Sequence, residues 1–324
     1  MKKRENWVDH VKVAACILVA LGHMLQGLLK AGILENNALL DWFIQTIYSF
    51  HVQLFFICSG YLYQKYSAVD NFKTWKDNSL KKLLALGIPY IVFSVITWGL
   101  KKVFSGTVNG EVSTLWYDLF VVPQSPYWYL YTLFFVFLIT PTFRSGKACI
   151  IGVVGAVLIR FVPDFQIYAV SQTVNYEIWF VLGMAVCFMN VPAVAAKWKA
   201  WAGVLLAVLF GSISVVLWMF DFQNHAVSIA MGLIACAGVF LIAVRFEEKQ
   251  NKWARYTMPV FLMHTIFAAG FRAILMKVGI TNGPIHIVVG IVASFLFPVL
   301  AAVVMRWLRL DFVIYPNKFL PMKK

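Results

Sequence analysis

The chain has 324 residues, of which 61% are apolar and only 13% charged, about half the charged share of an ordinary soluble domain, which is roughly 25%. A positive mean hydropathy and 16% aromatic residues fit a protein whose outer surface is as apolar as its interior. The net charge of +14 sits in short basic clusters between apolar runs, a pattern of topology and anionic membrane lipid, so no nucleic-acid partner is expected.

At the N-terminus, Lys2, Lys3 and Arg4 precede an apolar run over 13–21, as in a signal peptide. Asp9 and Lys12 interrupt the approach, however, and Gly22-His23-Met24 offers no small-residue cleavage site, so a retained first helix is expected. Apolar runs long enough to cross about 30 Å at 1.5 Å per residue then recur down the chain. They predict an all-α, polytopic transmembrane bundle of about ten helices, one membrane domain over 1–324, with spans at about 9–30, 40–63, 83–100, 127–143, 148–163, 174–190, 199–219, 225–245, 256–277 and 284–307. Pro123, Pro126, Pro141, Pro163, Pro192 and Gly283-Pro284 mark breaks between them.

Lys and Arg concentrate at both ends, including Lys323 and Lys324, and in the loops 65–82, 144–147, 197–199 and 245–255. Only Lys30, Lys101, Lys102, Arg160 and Lys277 fall in the alternate loops. By the positive-inside rule, both termini belong in the cytoplasm and the span number is even.

Ionisable residues inside spans are costly and by default mark a site or a path. On the first helix, Asp9, Lys12, Cys16, Val19, His23, Gln26 and Lys30 follow three-four spacing and share a face that must look into protein or water. Lys12 and His23 are three turns apart, roughly 16 Å. The structural alternative is that Lys12 snorkels and His23 makes one interhelical hydrogen bond. The second span carries His51 and then Cys58-Ser59-Gly60-Tyr61, where small residues allow close packing or a helix break. Lys81 and Lys82 form a basic pair at the mouth of the third span, suited to phosphate or simply to setting topology. Trp128 lies in an aromatic belt that could equally stack on a sugar. Glu177 and Arg272 are in-span charges expected near the outer end, and His264 falls midway through the ninth span. The cysteines Cys16, Cys58, Cys149, Cys187 and Cys236 lie in apolar segments without CxxC spacing, and no span shows metal-ligand spacing or a Ser-His-Asp arrangement.

These residues resemble the acyltransferase family 3 membrane proteins. The first helix, Trp7-Val8-Asp9-His10-Val11-Lys12 followed by Leu21-Gly22-His23, is similar to that family's opening, a basic residue, ten others, then His. Phe50-His51-Val52-Gln53-Leu54-Phe55-Phe56-Ile57-Cys58-Ser59-Gly60-Tyr61 is similar to its second helix. Ile88-Pro89-Tyr90, Tyr127-Trp128-Tyr129-Leu130 and Val260-Phe261-Leu262-Met263-His264 are weaker echoes. Many members have Arg where Lys12 stands, and Lys keeps the charge without the bidentate fork.

The resemblance implies transfer of an acyl group, most simply acetyl, from acyl-CoA to a hydroxyl of a cell-surface or lipid-linked glycan. On that expectation His23 is the general base or acyl carrier, and Lys12 and Asp9 hold the CoA end or balance charge. Lys81, Lys82, Lys65, Ser59 and Lys12 hold the acetyl-CoA, while His51, Glu177, Trp128, Arg272 and His264 face the acceptor, with no metal. The alternative is a transporter of a small solute or lipid-linked glycan, which would use the same polar cavity without an acyl donor. Oligomeric state is not legible in the sequence.

Overall fold

In lipid a backbone must satisfy its own polar groups, and the apolar runs do so as helices. A computed structural model describes residues 5–67, 69–105, 112–162, 165–198, 200–222 and 224–319. Lys2, Lys3, Arg4, Pro163, Lys199, Lys323 and Lys324 lie outside the described residues. The helices are α1 (Asn6–Lys30), α2 (Ala38–Tyr48), α3 (His51–Tyr66), α4 (Phe72–Val103), α5 (Trp128–Ile139), α6 (Gly146–Ile159), α7 (Tyr168–Phe188), α8 (Val191–Ala195), α9 (Ala200–Met219), α10 (His225–Val244), α11 (Thr257–Lys277) and α12 (Gly283–Trp307). There is no strand among the described residues.

Six of these, α1, α4 and α9 to α12, are long and apolar enough to cross a membrane unaided. Of the other expected spans, one is interrupted, two are short, and the one in α7, 21 residues long, is diluted by polar residues such as Thr173, Asn175 and Glu177. Helix α5 has 12 residues and α6 has 14, about 18 and 21 Å at 1.5 Å per residue. The expected second span is two helices, α2 and α3, interrupted at Ser49-Phe50 rather than at Ser59-Gly60. Two side chains bond carbonyls at the break: His51 Nδ1 donates to Ile47 O at 2.6 Å, alongside the Phe50 N–H, and Gln53 Nε2 donates to Ser49 O at 2.8 Å. Helix α4 begins well before the expected span, at Phe72, because Asn71 and Thr74 form a reciprocal capping box in its polar leader.

Gly60 is instead a crossing point. A Cβ there would collide with the Phe180 carbonyl of α7, and one on Gly183 would collide with the Ile57 carbonyl of α3. Reciprocal glycines of this kind bring two helix backbones together in a membrane, so the packing reading of Gly60 is the correct one.

One end of the bundle is tied by polar contacts. Glu5, at the start of α1, accepts hydrogen bonds from Lys65 Nζ at 2.6 Å, Tyr61 at 2.9 Å and Tyr66 at 3.2 Å. Burial raises the Glu5 carboxyl, but these three donors together hold it below the ordinary glutamate value. Trp7 N donates to the Glu247 carboxylate just beyond α10, and the Trp7 ring packs edge-on to Tyr61 and Phe240. The C-terminal ends of α1, α4 and α11, with the start of α12, meet at the opposite end around a cavity.

Candidate active site

The cavity is about 1140 Å³, at the upper edge of ordinary ligand pockets. It is lined by His23, Gln26 and Lys30 of α1, Thr97 and Lys101 of α4, Ser125, the stretch 265–277 of α11, and His286 and Gly290 of α12.

His23 stands on its wall between two hydroxyls. Its Nδ1 lies 3.3 Å from Tyr48 Oη, and its Nε2 lies 3.4 Å from Ser125 Oγ. In the tautomer whose Nδ1–H donates to the Tyr48 oxygen, Nε2 carries a lone pair directed at the Ser125 hydroxyl. Tyr48 also packs edge-on against His51, 4.7 Å between centroids, so the break between α2 and α3 positions the group that orients His23. The Ser125 backbone is held from both sides. Gln124 donates to Ser94 O at 2.8 Å and accepts from Lys101 at 2.9 Å. Tyr127, fully buried, donates to Leu262 O at 2.9 Å and lies 2.8 Å from Thr97 Oγ1.

The His264 ring is 5.4 Å from that of His23. Its Nδ1 is 2.9 Å from Val260 O and 3.0 Å from Phe261 O, which makes Nδ1 the protonated nitrogen, and its buried Nε2 has no hydrogen-bond partner. Arg272 does face the cavity and donates to Gly27 O at 2.8 Å, an approach that the absent side chain at Gly27 permits.

The remaining expected residues lie elsewhere. Glu177 is mid-helix in α7, not at its rim; its carboxylate accepts from Thr140 Oγ1 at 2.7 Å, where α5 ends. Trp128 packs on Tyr176 at 5.1 Å, and His51 is buried against the α2 carbonyl already described. None of the three lines the cavity. At the far end Lys82 is within electrostatic reach of both Lys12 and Lys81, with its Nζ 3.8 Å above the Phe137 ring. Asp9 and Lys12 both act on buried Cys58. Ser59 pairs with Tyr129 at 3.3 Å, and Lys65 is engaged by Glu5. Between the two ends the α1 stripe is closed, because Cys16 and Val19 pack into the core at 4% and 3% exposure. The polar face therefore leads to two separate sites rather than one channel.

Three residues at or beside the cavity are not among the sequence candidates: Ser125 and His286 on its wall, and Tyr48 behind His23. His286 was detectable, as an ionisable residue inside the last expected span. Ser125 and Tyr48 carry no sequence signal, since only the fold brings them to His23.

A multi-pass helical membrane protein with a histidine presented to a hydroxyl beside a large cavity is the class that fold and site define. The acyltransferase-domain family profile matches residues 5–303, nearly the whole chain, and the chain belongs to that family, acyltransferase 3. It is also similar to nodulation protein NolL of Mesorhizobium japonicum, 26% identical over 162 residues. That stretch is 49% of this chain and 42% of the relative, so the similarity spans less than half of NolL. No solved structure gives a significant match.

Proposed function

We propose that this acyltransferase carries an acyl group, most simply acetyl, from acyl-CoA in the cytoplasm to a hydroxyl of an extracytoplasmic or lipid-linked glycan. The observation that carries the reading is the geometry at His23, with Tyr48 at one ring nitrogen and a cavity-facing hydroxyl at the other. Nε2 takes the proton of the acceptor hydroxyl while its oxygen attacks the thioester carbonyl. The carbon–sulfur bond then breaks, and the CoA thiolate leaves with the proton returned by the imidazolium. General-base catalysis of this kind contributes about 10²–10⁴-fold. Ser125 Oγ marks the reach from Nε2 at which an acceptor hydroxyl is activated.

Basic clustering supports two cytoplasmic termini in a bacterial inner membrane and one membrane-embedded unit. On that orientation the cavity faces outward and the Lys12, Lys81 and Lys82 group faces the donor. A basic group at the cytoplasmic mouth suits the phosphates of CoA, with Lys81 exposed to meet them. Lys65 is less suited, being held by Glu5. The packed Cys16 and Val19 must part, or be bypassed, for the thioester to reach His23.

The test is acetyl-CoA turnover by purified protein in detergent, following free thiol, with wild type beside His23→Ala. The expected result is thiol release in the wild type and its loss in a variant that unfolds at the same temperature. No release and no CoA binding in wild type would defeat the reading and favour transport through the same cavity.

A further inference from the structure

Four cations line the outer cavity: Lys30, Lys101, Arg272 and Lys277. Among the described residues no carboxylate lines it; Asp118 is within electrostatic reach of Lys101 but is not on the wall. Charges at membrane depth are costly, most at a helix centre and less near the ends, and such groups ordinarily find an opposite charge. Here two of them spend only part of their donor capacity on the protein. Arg272 gives one nitrogen to Gly27 O, and Lys101 gives one bond to Gln124. Lys30 and Lys277 are exposed.

A second feature is independent of charge. His286 lines the cavity at 1% exposure, and its Nε2–H donates to Ile280 O at 2.8 Å. Its Nδ1 is therefore an acceptor, and it is buried without a partner. An unmatched buried acceptor is destabilising unless a donor arrives.

From these two features we infer that the cavity binds an anionic sugar, its acid group, phosphate or carboxylate, set among the four cations and a hydroxyl donated to His286 Nδ1. The inference rests on the acceptor reading of this cavity and narrows it, because a neutral sugar would leave the cations uncompensated. Attraction of an anion to a cationic mouth also raises its rate of arrival, and does so less as salt increases.

The experiment measures binding, not turnover, so that its failure is separable from failure of acyl transfer. Purified protein in neutral detergent at low salt is titrated with 4-nitrophenyl β-D-glucuronide and with the matched neutral glucoside, reading thermal stabilisation. The expected result is binding of the glucuronide at least tenfold tighter than the glucoside. The preference should fall toward onefold in Lys30→Gln/Lys277→Gln, whose substituted side chains are exposed, and shrink as salt rises. Equal affinity for the two sugars, or a preference unchanged in the double variant, would overturn the inference. So would stabilisation by phosphatidylglycerol with none by the glucuronide, which would assign the cavity to a lipid headgroup. Glucuronide preference without acetyl-CoA turnover would retain the ligand class and sink only the enzyme reading.

Discussion

Tyr48→Phe removes the hydroxyl 3.3 Å from His23 Nδ1 while keeping the ring that packs on His23 and His51. Loss of one orienting hydrogen bond is worth about 0.5–1.5 kcal/mol, so kcat should fall up to about tenfold with KM unchanged. A rise in KM at constant kcat would show that Tyr48 binds substrate and does not position the base. Glu5 gives a prediction of another kind. Its carboxyl is held below the ordinary value, so its contribution is complete above the unfolded-state value, about 4.3, and is lost as pH falls through the folded-state value. Glu5→Gln should therefore cost about 1 kcal/mol at neutral pH, discounted because Lys65 is partly exposed, and should flatten the loss of thermal stability below about pH 4.3. An unchanged acid limb would contradict that role. At this scale the sequence exposes what is chemically conspicuous. His23 stands out because an imidazole within the apolar run of a helix is rare, and its spacing from Lys12 reads directly off the chain. Its working neighbours do not, since one tyrosine among 13 carries no mark.

Among elements, the crossing of α3 and α7 is the most constrained. Gly60→Ala or Gly183→Ala drives a methyl group into a facing main-chain carbonyl that no rotamer change relieves. Overpacking of this kind costs about 1–3 kcal/mol, and each variant should unfold at lower temperature with activity failing in parallel. A full-strength melt would mean that the helices do not approach so closely. The sequence shows Ser59-Gly60 as a small-residue point, but breaking and packing predict the same residue types, and only the partner glycine on α7 decides between them. The interruption at Ser49-Phe50 was hidden for a related reason. Hydropathy runs unbroken through it, and the side chains that make it tolerable, His51 and Gln53, read as site residues or ordinary polar ones until their carbonyl partners are known. Of the ten expected spans, six are long and apolar enough alone among the described residues; α5 and α6 are short, the span over α2 and α3 is interrupted, and α7 carries polar residues such as Glu177 along its 21-residue length.

Across the whole molecule, α1 connects two chemically different ends. Lys12, Lys81 and Lys82 gather at one, His23 and the cationic cavity at the other, with a packed girdle between. The division is consistent with donor and acceptor binding from opposite sides of the membrane, a geometry in which the acyl group, and not the whole substrate, makes the crossing. The alternation of basic loops carries the orientation in the sequence, whereas Arg272, Lys30, Lys101 and Lys277 lie on three different helices and converge only in the fold. The most direct measurement uses acetyl-labelled acetyl-CoA, which does not permeate membranes, supplied to inside-out and right-side-out vesicles containing wild type or His23→Ala protein. The account predicts CoA release in inside-out vesicles with wild type alone, and none in right-side-out vesicles or with the variant. Equal turnover from the outer face, or turnover that survives loss of His23, would contradict it.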